Sequence, residues 1–78
     1  MKTISERIKH IMSVVFEIPE EEIKENSAAT TIENWDSLRH LNLILSLEEE
    51  FGVSIPDEQV GNLMNFKLIE SEINGLLK

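Results

Sequence analysis

Three side chains that can do chemistry stand close together near the middle of the chain: Asp36, Ser37 and His40. A leucine-rich segment follows them, so Asp36 suits the N-cap of a helix and Ser37 falls in its first turn. Many helices begin with Asp-Ser and have no chemical role. However, free backbone amides and the positive end of the helix dipole favour an anion at this position. The residues therefore predict a serine hydroxyl that is well placed to carry a phosphate ester.

The same residues also raise the alternative of a nucleophilic serine in a hydrolase. Ser37 and His40 are about 60° apart on a helical wheel, which permits a contact. As a helix cap, however, Asp36 points back at the backbone and cannot also orient His40, and no G-x-S-x-G elbow surrounds the serine. We therefore predict no catalytic residues and no enzymatic activity, and we place His40 at the core edge or on the surface.

The elements that position Ser37 begin with a helix predicted over about Ile4–Phe16. Thr3 and Glu6 have the spacing of a capping box. Apolar residues then recur at helical spacing; they are Ile4, Ile8, Ile11, Met12 and Val15. From Pro19 to Trp35 no period is sustained, which predicts a long loop. Four residues are expected to pin this loop to the core: Ile18, Ile23, Ile32 and Trp35.

The strongest helical pattern covers Ser37–Phe51 and ends at Gly52, a typical C-terminal stop. Pro56 opens a short helix with the sequence DEQV. Asn65 is placed to cap a final helix whose apolar side comprises Phe66, Ile69, Ile73, Leu76 and Leu77. The chain is thus predicted to be a single domain over residues 1–78. Its fold class is all-α: three main helices, one short helix and a long first loop, without strands.

The apolar surface of the second main helix is too wide for its core. One sector holds Leu43, Ile44, Leu47 and Phe51. A second sector holds Leu38, Leu41 and Leu45, called here the leucine strip. Together the sectors span roughly 220°, whereas an ordinary core-facing helix has an apolar stripe of about 100° or more. Either another helix covers the strip, or it is partly exposed for a partner or an apolar ligand. Acidic residues form its rim: Glu48, Glu49, Glu50, Asp57 and Glu58.

Composition limits the partners. The 78 residues include 15 Asp and Glu against 7 Lys and Arg, a formal net charge of -8. Nucleic acids and anionic membranes would repel this chain, whereas basic patches on proteins would attract it. Without cysteine there is no disulfide framework or thiolate metal site. The acids lack the D-x-D-x-D-G pattern of a calcium loop, and no apolar run is long enough to span a bilayer. We expect a cytoplasmic monomer without a metal.

The segments DSL and LEEEFGVSIPDE, at this spacing and joined by an apolar helix, resemble those of the acyl carrier proteins. The resemblance covers nearly the whole chain and implies an acyl-carrier-type bundle. It implies that a phosphopantetheinyl transferase attaches 4'-phosphopantetheine from coenzyme A to Ser37 in a magnesium-dependent step. Asp36 and Leu38 would flank the attachment site. Other residues would meet partner enzymes or border an acyl cleft: Arg39, Leu41, Leu45, Glu48 and Asp57, with Val60 and Leu63 facing them from the short helix.

The sequence also departs from the carriers of fatty acid synthesis. Those carriers usually have acids two and five positions after the serine, where this chain has Arg39 and Asn42. Gly61 stands where a further acid is expected, and Trp35 where small residues are frequent. Because charge complementarity controls partner choice, Arg39 is expected to weaken docking to a strongly basic enzyme patch. These differences favour a specialised carrier that serves a dedicated synthase or ligase.

Three functions remain open from the sequence alone. The first is a free-standing carrier of acyl intermediates for fatty acid, polyketide or related synthesis, with acyl ligases and synthases bearing basic docking patches as partners. The second is an aminoacyl, peptidyl or D-alanyl carrier with the same chemistry. The third is a helical adaptor that is never modified on Ser37. With Met1 at its start and Lys78 at its end, the chain is expected to be a complete, discrete protein.

Overall fold

The computed structural model describes residues 3–77. They form four α-helices: α1 (Ile4–Phe16), α2 (Ser37–Phe51), α3 (Asp57–Val60) and α4 (Phe66–Leu76). A 3-10 turn at Glu20–Glu22 interrupts the long loop between α1 and α2. No strand occurs within residues 3–77. The predicted all-α fold with three main helices and one short helix is therefore confirmed.

The helix boundaries follow from local capping. Thr3 and Glu6 form the predicted capping box at the start of α1. The side chains of Asp36 and Asn65 each accept a hydrogen bond from the backbone amide three residues further on, which starts α2 and α4. At the other end of α2, Gly52 adopts a left-handed conformation with φ 62°. That conformation suits glycine, so α2 ends where the sequence predicted.

One continuous core lies between the three main helices and the long loop. It contains the following buried apolar side chains: Ile8, Ile11, Met12, Phe16, Ile23, Ile32, Trp35, Leu43, Ile44, Leu47, Phe51, Ile55, Leu63, Phe66, Ile69 and Ile73. The predicted core sector of α2 is therefore correct. The prediction for Leu77 is wrong, because this residue follows the last turn of α4 and its surface is 44% exposed.

The long loop is fastened to the bundle by polar contacts as well as by its apolar anchors. Ala28 forms an isolated antiparallel bridge with Asn65, just before α4. Beside this bridge, the backbone of the buried Ser27 accepts a hydrogen bond from the Phe66 amide at 2.9 Å. Near the other end of the loop, the Asn34 side chain donates to the Phe16 carbonyl at 2.7 Å. The loop leading to Ser37 is thus held by both α1 and the start of α4.

The helices are short relative to a lipid bilayer. None of those described between residues 3 and 77 is both long and apolar enough to cross a membrane.

Candidate functional site

Ser37 is the first residue of α2 and is exposed. It follows the N-cap Asp36, whose carboxylate accepts a hydrogen bond from the Arg39 amide at 2.8 Å. In an α-helix the first amides have no partner within the helix, so this end of α2 presents N–H groups and the positive end of the helix dipole. The hydroxyl of Ser37 therefore lies where a phosphate ester would be electrostatically favoured.

An open, mainly apolar pocket of about 600 Å³ adjoins Ser37. It lies between the end of the long loop, the first turns of α2 and the segment after α3. Its lining consists of Trp35, Asp36, Ser37, His40, Leu41, Gly61 and Met64. Trp35 and His40 are buried, whereas Leu41 and Met64 are exposed at 55% and 41%. A flexible group attached to Ser37 would thus have an apolar surface within immediate reach.

His40 is buried at the core edge, and both of its ring nitrogens have partners. Nδ1 lies 2.9 Å from the indole Nε1 of Trp35, and Nε2 lies 2.6 Å from the carbonyl oxygen of Val60. Because an indole N–H can only donate, Nδ1 accepts and the neutral ring carries its proton on Nε2, which donates to Val60. Neither nitrogen is available to take a proton from Ser37, so the arrangement does not support the hydrolase alternative.

The leucine strip lies on the exposed face of α2. Leu38, Leu41 and Leu45 are exposed at 70%, 55% and 61% of their surfaces. The alternative in which another helix covers the strip is therefore wrong for the described part of the chain. Exposed apolar side chains in a row are typical of an interaction surface. Its use by a partner remains a prediction.

The side chain of Arg39 is held between the start of α2 and the end of α1. Its Nη2 atom lies 2.6 Å from the Glu17 carboxylate, and its Nε–H donates to the Val15 carbonyl at 3.2 Å. Asp36 adds a second carboxylate at 3.7 Å from Nη1. The guanidinium thus joins the start of α2 to the end of α1, and its charge is largely paired. The expected weakening by Arg39 of docking to a strongly basic enzyme patch remains a prediction.

The acidic rim divides into residues with internal partners and residues that are free for docking. The half-buried Glu48 accepts a hydrogen bond from the Ile55 amide at 2.7 Å, so its carboxylate holds the link between α2 and α3. Glu50 pairs with Arg7 at 2.9 Å. By contrast Glu49 and Asp57 are exposed and have no hydrogen bond or ion pair among the contacts of residues 3–77.

Of the two residues expected to face the strip from the short helix, only Val60 lies on that helix. Val60 is the last residue of α3 and is partly buried against the core. Leu63 lies beyond the end of α3 and is only 3% exposed. The expected placement of Leu63 on α3 is therefore wrong, because the helix stops before Gly61 and the chain then turns inward. Leu63 is therefore a core residue and offers almost no surface to a partner.

Comparison with known proteins places this geometry in context. No family model matches the sequence. Among solved structures, the chain is similar to the holo acyl carrier protein of Geobacter metallireducens, determined in solution, with a TM-score of 0.83 and 26% sequence identity. The match covers 95% of this chain and 85% of that one.

The chain has the acyl carrier protein fold. The resemblance noted from the DSL and LEEEFGVSIPDE segments is thereby confirmed at the level of the fold, and the similarity supports a carrier-protein role in general. Within this carrier fold, the hydrogen-bonded link between Trp35, His40 and Val60 was not predicted from the sequence. The available signal was weak: a tryptophan with one N–H donor and a histidine with two ring nitrogens stand on either side of a helix cap.

Proposed function

We propose that this chain carries acyl groups on a 4'-phosphopantetheine arm attached to Ser37. One observation carries the proposal: an exposed serine begins α2 of an acyl-carrier fold, beside an apolar pocket. The similar protein from Geobacter metallireducens is described as a holo carrier. The hydroxyl, the adjoining helix N-terminus and the pocket suit a phosphodiester that continues into a flexible, partly apolar arm.

Attachment requires only a hydroxyl nucleophile from this chain. Ser37 Oγ forms a bond to the phosphorus of the phosphopantetheine moiety, the pyrophosphate bond of coenzyme A breaks, and adenosine 3',5'-bisphosphate leaves. A base on the phosphopantetheinyl transferase takes the hydroxyl proton, and Mg²⁺ bound with coenzyme A stabilises the phosphate charge. This chain has no cysteine, so the thiol that forms thioesters comes from the arm. Asp36 keeps the α2 terminus formed, and Leu38 lies beside the attachment point.

The expected partners are the transferase, an acyl ligase and a synthase enzyme. The leucine strip would provide the apolar contact surface next to Ser37. Basic side chains on the partner would meet the exposed acids Glu49 and Asp57, while Arg39 contributes little charge because Glu17 and Asp36 surround it. We propose encounters in the cytoplasm with a monomeric carrier, steered by its net charge of -8.

Intact mass spectrometry tests the attachment directly. The protein is incubated with coenzyme A, Mg²⁺ and a broad-specificity phosphopantetheinyl transferase. Wild type and the control variant Ser46→Ala, changed on the same helix, are expected to gain one phosphopantetheine, whereas Ser37→Ala gains none. Circular dichroism verifies that all three proteins are folded. If folded wild type gains nothing, the carrier proposal is wrong, and an unmodified adaptor that uses the leucine strip takes its place.

Aminoacyl and acyl cargo are separated by a second mass measurement. The holo protein is offered purified acyl-ligase and amino-acid-adenylating enzymes, each with ATP and its own substrates. Loading with acyl groups supports the proposal. Loading with amino acids alone would support attachment of the arm to Ser37 but would show that the cargo is aminoacyl and not acyl.

A further inference from the structure

We propose that His40 holds α3 against α2 and thereby keeps cargo attached to Ser37 outside the bundle, in the surface pocket beside Trp35. This inference rests on the proposed carrier function and restricts the cargo to short acyl groups. His40 is in this respect a specificity-determining residue that acts by positioning α3.

The contact between His40 and Val60 spans the gap between the two helices. His40 lies in the first turn of α2, three residues after Ser37, and Val60 is the last residue of α3. The Nε2–H of His40 donates to the Val60 carbonyl at 2.6 Å. That carbonyl belongs to the end of a four-residue helix, where the last carbonyls need partners from outside the helix. His40 supplies one.

Trp35 fixes the orientation of the His40 ring. Its indole N–H donates to Nδ1 at 2.9 Å, and the two rings lie edge to edge, with their planes at 25° and their centroids 6.0 Å apart. Trp35 also packs on Phe16, with ring centroids 4.8 Å apart. The imidazole is thus held at both nitrogens, with its Nε2–H aimed at Val60. The hydrogen bond between His40 and Val60 is therefore supported by core side chains on the far side of the imidazole.

An acyl chain that entered between α2 and α3 would have to separate His40 from Val60. Moving α3 away would break the bond to the carbonyl, and moving the ring would also remove the partner of the buried indole N–H. Polar groups left buried without a partner are costly. The pocket lined by Trp35, Leu41 and Met64 is already open and apolar, so it accepts a short chain without breaking these bonds.

Loading with chains of different length tests the proposal. Isotope-labelled apo protein is modified by the transferase with acetyl-, hexanoyl- or decanoyl-coenzyme A, and amide and indole resonances are recorded for each form. In wild type, the changes between acetyl and longer cargo are expected at Trp35, Leu41 and Met64. The amides of the buried core residues Leu47 and Ile69 are expected to stay in place with both hexanoyl and decanoyl cargo.

The variant His40→Ala should open the interior, and His10→Ala is the matched control because His10 is the exposed histidine. With decanoyl cargo, His40→Ala is expected to shift the Leu47 and Ile69 amides. Cleavage of its thioester by hydroxylamine should slow on the order of tenfold, the effect of about one buried hydrogen bond. His10→Ala should match wild type in both measurements.

Failure of the proposed carrier function and failure of the inference about His40 give different results. If intact mass shows no arm on wild type, the carrier function and this inference are both wrong. If the arm is attached but decanoyl cargo shifts the core amides of wild type, only the inference is overturned. Equal hydroxylamine rates in wild type and folded His40→Ala would overturn it as well. If His40→Ala does not fold, wild type loaded with the three cargo lengths still tests the inference. The residues whose resonances shift show where the cargo lies, and this measurement needs no variant.

Discussion

The guanidinium of Arg39 contacts the carboxylate of Glu17 at 2.6 Å, joining the first turn of α2 to the residue that ends α1. A further bond from Arg39 to the Val15 carbonyl, at 3.2 Å, satisfies one of the last backbone groups of α1. The position of Ser37 relative to α1 therefore depends on a side chain that the sequence places on the docking face.

Replacing Arg39 is expected to reduce stability. Arg39→Met keeps most of the apolar stem but loses the ion pair and the bond to Val15, so the free energy of unfolding should fall by about 1–2 kcal/mol. Urea denaturation followed by the fluorescence of Trp35 measures it. Lys67→Met, at an exposed cation, should stay within about 0.5 kcal/mol of wild type. Equal stability of both variants with wild type would contradict the role given to Arg39.

The residues after the ends of α1 and α2, Glu17 and Gly52, are expected to respond differently to substitution. Both residues have positive φ, 56° and 62°. Glu17→Gly relieves the left-handed strain but loses the exposed pair with Arg39, so a net change within about 1 kcal/mol is expected. Gly52→Ala should destabilise by about 1 kcal/mol, although no atom lies within 4 Å of the added Cβ. Thermal denaturation of both variants checks this; a Gly52→Ala variant as stable as wild type would contradict it.

Glu48 is expected to be structural, while its neighbour Glu49 is not. Glu48→Ala leaves the Ile55 amide without its carboxylate partner, and this should cost about 1–2 kcal/mol of unfolding free energy. Glu49→Ala removes the same charge from an exposed position and should change stability by less than about 0.5 kcal/mol. Chemical denaturation at constant ionic strength compares them. If both variants lose the same free energy of unfolding, the hydrogen bond between Glu48 and the Ile55 amide does not stabilise the fold.

Substitutions at Leu45 and Leu43 of α2 are expected to affect docking and folding, respectively. Leu45→Ser changes an exposed residue of the leucine strip, so stability should hold while kcat/KM for the transferase falls about tenfold. Leu43→Ala, at a fully buried position, should lose about 2–5 kcal/mol and leave docking by the remaining folded fraction unchanged. Steady-state modification rates and denaturation curves test both. A Leu45→Ser variant with normal modification kinetics would remove the strip from the transferase interface.

Features set by neighbouring residues were predictable from the sequence. The caps at Thr3, Asp36 and Asn65 act within one helical turn, so spacing alone located the starts of α1, α2 and α4. The second apolar sector of α2 followed from angular spacing, but whether another helix covers it depends on tertiary packing and was left open by the sequence.

Features set by distant partners were not predictable. Nothing in the sequence indicates that the Val15 carbonyl lies beside Arg39 or that the Ile55 amide lies beside Glu48. The family resemblance placed Leu63 on the short helix, whereas the helix covers only the predicted DEQV segment and ends at Val60. The contacts of His40 also depend on how α3 packs against α2, which local pattern does not determine.

The bridge between Ala28 and Asn65 has a consequence for the order of folding. It joins a loop residue to the cap of α4 across nearly half of the chain, whereas the contacts within α1 and α2 are local. Closing so long a loop is entropically expensive, so local helices form first and this bridge is made late on the folding route. A substitution that weakens the bridge is therefore expected to accelerate unfolding while leaving the refolding rate nearly unchanged.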